Sequence, residues 1–196
     1  MSASTGSGST SPARSRLLGT ATRIFYAEGI HSVGVDRIIA EAQVTRATLY
    51  RHFKGKEDLI LAYLQLADRG IRGQVEAVLD QDLTPADTVR AVAGSIAEGI
   101  QSQGFRGCAF LNAAAEFPDP AHPVHRAVLA HRQWFLDTVT ELLGRAGCDP
   151  AETAGRHFVM LRDGAMAAGC LFDPALISET LLNGVDDLLR TATGAL

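Results

Sequence analysis

Residues Val35 to Phe53, VDRIIAEAQVTRATLYRHF, read as a short helix, a three-residue turn and a second short helix. The first runs from about Val35 to Ala42; the second starts after Thr45, whose hydroxyl suits an N-cap, and ends near Phe53. Leu49 and Phe53 are four apart and face inward, where they meet Ile38 and Ile39. That leaves Arg46, Ala47, Thr48 and Arg51 able to reach outward. A reader of the DNA groove uses such side chains. Arg46 has the bidentate fork for a guanine edge, Ala47 or the Thr48 methyl matches a thymine methyl, and hydroxyls and cations hold phosphates.

The charge supports a nucleic-acid role once the chain is divided. Its formal net charge is -4, but residues 1–56 hold eight of the 18 basic side chains and three of the 22 acidic ones, a net of +5. Ten basic and nineteen acidic side chains remain in the rest, a net of -9. A basic head on an acidic body is expected when one end meets phosphate and the other does not.

Working outward, apolar residues recur at three and four, as in Ile60, Tyr63, Leu64, Ala67, Ile71, Val75 and Val78, and in Leu181, Val185, Leu188 and Leu189. No stretch alternates long enough to be a confident strand, so the reading is all-α with about nine helices. Gly, Pro and capping residues set their ends: Pro12 to Gly29, the two short helices, a long one from Lys56, and another opened by Thr84-Pro85 with Asp87 at the third capping position. Cys108 to Phe117 follow, then roughly 124–146, 150–171 and 174–193. The organisation expected is a polar, disordered tail over 1–12, a helix-turn-helix domain over 13–57 and a body over 58–196.

The segment from Arg16 to Leu59 closely resembles the TetR family of bacterial regulators. The resemblance rests on Ala21, Phe25 and Gly29, then Val35-Asp36-Arg37-Ile38-Ile39, and above all on the block TLYRHFKGKEDL. It implies that Arg46, Ala47 and Thr48 lie in the major groove, while Tyr50, His52 and Lys56 contact phosphates. One position departs from the family: Gln43 stands where glycine is usual. The turn there either carries strain or takes another path, because a non-glycine residue resists positive φ. The segment GCAFLNAAAEFPDP resembles one at the same place in a subset of the family.

The resemblance implies a DNA-binding regulator, a ligand-responsive repressor working as a homodimer on a palindromic double-stranded operator. Small residues (Gly164, Ala165, Ala167, Ala168, Gly169) and leucines (Leu181, Leu182, Leu188, Leu189) on the last two long helices suit a four-helix dimer seam, though part of each stripe must be core. Ile96, Phe110, Trp134, Phe135 and Met160, with His131, His157 and Asp163 as polar contacts, are candidates for lining a small-molecule effector cavity; plain packing is the competing reading. Cys108, after Gly107 and Arg106 at a helix start, is a candidate redox or electrophile sensor, weighed against a small buried side chain. His122 and His125 near Glu116 and Asp119 fit helix caps better than metal ligands, and neither metal nor cofactor is expected. Two other readings compete, an all-helical thiol or metal enzyme and an interaction module with a vestigial helix-turn-helix. The first lacks a nucleophile, base and orienter at recognisable spacing, and neither accounts for the basic head. Three widely spaced cysteines suit a reducing compartment, and the absence of a long apolar run or signal-like segment suits the cytoplasm.

Overall fold

In the computed structural model, residues 11–192 are described and form nine α-helices and no strand. Residues 1–10 of the expected tail lie outside the described residues. The helices are α1 (Pro12–Glu28), α2 (Val35–Glu41), α3 (Arg46–His52), α4 (Lys56–Leu79), α5 (Pro85–Gln101), α6 (Ala109–Glu116), α7 (Pro123–Arg145), α8 (Ala151–Ala168) and α9 (Pro174–Ala192). Proline opens the first turn of α1, α5 and α7, where its missing N–H would have no helical partner. Thr84 caps α5, its hydroxyl oxygen accepting from Asp87 N–H at 3.2 Å.

Two compact units divide within α4, after Tyr63. The first packs α1, α2, α3 and the start of α4 around Leu17, Ala21, Ile24, Phe25, Ile38, Leu49, Phe53 and Leu59, all buried. The inward-facing pair expected on α3, Leu49 and Phe53, is in this core; Ile38 joins it, and Ile39 is half-buried.

In the second unit α5 packs on α7, α8 and α9, α8 on α7 and α9, and α6 on α7. Its core joins Val89, Val92 and Ile100 to Phe135, Val139, Leu143, Phe158, Leu181, Val185 and Leu189. Buried Ser178 donates to Ala97 O at 3.0 Å, tying α9 to α5. Gly155 allows the α7–α8 approach: a Cβ there would fall 2.1 Å from Thr140 Oγ1 and 3.2 Å from Thr140 Cα. Among the described residues no helix is long and apolar enough to cross a membrane.

Candidate nucleic-acid interface and half-open cavity

The path between α2 and α3 follows from backbone hydrogen bonds. Val44 N–H donates to Ile39 O and Gln43 N–H to Ala40 O, each at 3.2 Å, the paired pattern that ends a helix through a left-handed residue. Gln43 is that residue, at φ 52°. The turn therefore keeps the path that glycine usually takes and carries the strain, on the order of 1 kcal/mol. Thr45 then caps α3, accepting from Thr48 N–H at 3.1 Å. Its hydroxyl also lies 2.9 Å from that of Thr48, which is half-buried.

Of the other expected contact residues, Arg46, Ala47, Tyr50 and Arg51 are exposed, and His52 and Lys56 are half-buried. His52 Nε2 lies 3.5 Å from Ser11 Oγ. Arginines hold the acidic side chains of this unit's helical head. Arg23 Nη2 is 2.5 Å from Glu41 Oε2, Arg37 reaches Glu41 at 2.8 Å and Glu28 at 2.7 Å, and Arg46 pairs with Asp36. Hydrogen bonds from Arg37 to Glu28, and from Arg23 and Arg37 to Glu41, hold both carboxyls below their usual range. The surplus positive charge thus falls on side chains such as Arg16, Arg51 and Lys54, which are exposed. The Arg46–Asp36 pair is itself open to water, so breaking it sacrifices little.

The second unit carries a half-open cavity of about 190 Å³, lined by Leu64, Gln65, Asp68 and Arg72 of α4, Phe110 of α6, and Ala127, Ala130 and His131 of α7. His131 Nδ1 is 2.7 Å from Asp68 Oδ1, and Arg72 Nε donates to Asp68 Oδ2 at 2.7 Å. Burial works to raise the Asp68 carboxyl, but hydrogen bonds from Arg72 and His131 bring it below its usual range. Burial pushes His131 down, outweighing its bond to Asp68, and the charges of Arg162 and Arg72 push the same way.

A second buried cluster joins α6, α7 and α8. Arg162, only 4% exposed, donates to Asp163 Oδ1 at 2.8 Å and to Cys108 Sγ at 3.3 Å, and lies over the Phe135 ring. Arg132 grips the same Asp163 carboxylate, one of its bonds being 2.7 Å. Among the described residues Arg162 Nε has no hydrogen-bond partner.

Residues 17–63 match the family described as bacterial regulatory proteins, tetR family. A solved structure of a TetR-family transcriptional regulator from Streptomyces coelicolor is 74% identical, covers 92% of this chain and 96% of that one, and superposes with a TM-score of 0.91. The chain belongs to the TetR family. It is also similar to the transcriptional regulator YjdC of Escherichia coli, 21% identical over 91% of this chain and 94% of YjdC. LmrA of Bacillus subtilis is 26% identical over 69% of this chain and 73% of its own. As a TetR-family protein the chain is a DNA-binding transcriptional regulator, and the family's members are not enzymes.

Within this TetR-family body, Phe110 and His131 do line the cavity. Trp134 borders it, with its ring 5.6 Å from that of His131 and the Arg72 guanidinium 4.0 Å above it. Phe135 is core and Ile96 packs against the core, while Asp163 serves the arginine cluster. His157 and Met160 do not belong with them. They line an open groove of about 690 Å³ between α8 and α9, because Phe158 and Arg162 take the inward face of α8 and put 157 and 160 on the other. Of the leucines expected in the dimer seam, Leu189 is core of its own subunit and Leu181 is buried at the floor of the groove, which Gly164, Ala168 and Leu188 also line. Cys108 sits at the N-cap of α6 but is buried. His122 caps α7, accepting from Val124 N–H at 3.2 Å.

Sequence reasoning missed Asp68, Arg72, Arg132 and Arg162. Its available signal was charge within apolar stripes: Asp68 and Arg72 interrupt the α4 stripe, and Arg162 follows Phe158 by one turn on the buried face of α8. Buried charges need partners, but periodicity cannot say which helix supplies them.

Proposed function

We propose that the chain is a ligand-responsive repressor that binds a palindromic double-stranded operator as a homodimer. Residues 13–57 form the DNA-binding domain in this reading, and 58–196 the effector-binding and dimerisation domain. The observation that carries it is the basic helix-turn-helix unit, whose α3 exposes Arg46, Ala47, Tyr50 and Arg51 beside an N-cap that fixes its start. Arg46, Ala47 and Thr48 read bases, while Tyr50, Arg51, His52 and Lys56 hold phosphates. Dimerisation is supported by the apolar α8–α9 groove and by the exposed apolar side chains Met160, Leu171, Phe172, Leu176 and Leu182 on and between these helices. A second copy of the chain covers this face, since TetR-family regulators act as dimers, and the pairing sets two recognition helices about one DNA turn apart.

Selection of bound sequences from a random duplex pool gives the operator for the test. Arg46→Ala is expected to lose roughly 1–3 kcal/mol per half-site and relax one base position. Lys56→Ala should weaken all sequences alike and lower the salt slope by about one per subunit. Wild-type affinity and salt slope in both variants would overturn the docking geometry. A reporter behind the selected operator gives the sign of regulation, and repression lifted by an added ligand is the expected result.

A further inference from the structure

The cavity under α6 has a definite hydrogen-bonding character. Asp68 is held as a carboxylate, which only accepts, so the proton between it and His131 resides on Nδ1. His131 is held neutral, so its Nε2 is a bare acceptor. Among the described residues no hydrogen bond engages that nitrogen, although the side chain is only 3% exposed. Arg72 spends Nε on Asp68 and leaves its two terminal nitrogens without an acceptor among the described residues. Besides the Gln65 amide, the cavity thus presents an acceptor at His131 and donors at Arg72, while the Asp68 and Arg72 charges cancel.

Its walls define the rest. Phe110 and His131 stack face to face, ring centres 3.6 Å apart and 5° from parallel, while Leu64, Ala127 and Ala130 are apolar. A volume of about 190 Å³ is that of a single-ring molecule, given that an apolar cavity of about 150 Å³ holds benzene. An anionic ligand would meet the Asp68 carboxylate, and a cationic one the Arg72 guanidinium. A neutral hydroxyl has a proton for the acceptor and lone pairs for the donor, and brings no net charge.

We propose that this cavity binds a neutral single-ring aromatic alcohol of the phenol class, its hydroxyl donating to His131 Nε2 and accepting from Arg72. The ring lies against Phe110 and the alanines of α7. This names the ligand class for the effector-responsive reading above, and its control over DNA rests on that reading; binding itself does not.

Trp134, the single tryptophan of the chain, borders the site and reports on it by fluorescence. The full chain is titrated with phenol, benzene and benzoate. Phenol should give a saturable change, with benzene weaker by about tenfold for the lost hydrogen bonds and benzoate weaker than phenol. His131→Phe keeps the ring stack but removes the acceptor, so phenol should fall to the affinity of benzene. Arg72→Met, on the more exposed side, tests the donor if the first variant does not fold. Equal binding of phenol and benzene, tighter binding of benzoate, or no saturable change overturns the proposal. Fluorescence anisotropy of labelled operator separates the two ideas: phenol that binds at Trp134 without releasing DNA upholds the site and overturns its effector role.

Discussion

Replacing Met160 by glutamate tests how the α8–α9 face is covered. Met160 is 70% exposed in the subunit and lines the apolar groove with Gly164, Ala168 and Leu188. Burying a whole methionine side chain is worth about 1.5–3 kcal/mol, so covering the exposed part of this one contributes roughly 1–2 kcal/mol per subunit. A two-fold seam contains the residue twice, and Met160→Glu removes about 2–4 kcal/mol before any cost of bringing two carboxylates into an apolar seam. At 1.4 kcal/mol per factor of ten, the dimer dissociation constant should rise by about 30- to 700-fold. Sedimentation equilibrium over a concentration series measures it directly, and circular dichroism checks that the monomer keeps its helices. Operator affinity should fall in parallel, because a lone recognition helix makes only half the contacts. Leu181→Glu is the contrasting variant: at 2% exposed within the subunit core, it should unfold the chain rather than separate folded monomers. A Met160→Glu protein that associates as tightly as wild type would refute the assignment of this face.

The remaining predictions concern packing, pH and thiol chemistry. Gly155→Ala and Gly70→Ala make the same change on helices with opposite expected signs. Alanine at 155 meets Thr140 and should lower stability by up to about 2 kcal/mol despite better helix propensity, while open space at 70 should allow a gain of about 1 kcal/mol, both read from thermal melts. Because folding holds His131 neutral, the unfolded chain takes up a proton that the folded chain refuses as pH falls below about 6.5. The stability of wild type should therefore be fully present above that pH and decline below it, and His131→Phe should show a smaller decline between pH 7.5 and pH 5.5. In the native protein a thiol reagent should label exposed Cys170 first and buried Cys108 and Cys148 only on unfolding, with mass spectrometry mapping the order. Fast native labelling of Cys108 with loss of DNA binding would instead restore it as a chemical sensor.

Local patterns carried much of this protein. The helix-turn-helix was legible because its determinants are adjacent in the chain: the Thr45 cap, the inward pair Leu49 and Phe53, and the basic residues around them. Even the odd residue of the turn, Gln43, could be marked as a place of strain or of a different path, since positive φ depends only on its own side chain and nearest neighbours; the structure decides for strain. Proline and capping residues likewise set most helix ends; α8 stops three residues short of expectation, where the Gly169 backbone closes against Ile100 and Phe105. Tertiary structure alone decided which side of each body helix faces which neighbour. A stripe such as Leu181, Leu182, Leu188 and Leu189 is equally consistent with core and with a seam, and only the packing of α9 on α5 and α8 sends Leu181 and Leu189 inward. The same holds for charge. Asp68 and His131 are 63 residues apart, and Cys108 and Arg162 are 54 apart, so no local rule joins them. Their pairing is set by how α4, α6, α7 and α8 pack, because a buried charge is tolerated only where another helix brings its partner within hydrogen-bonding distance.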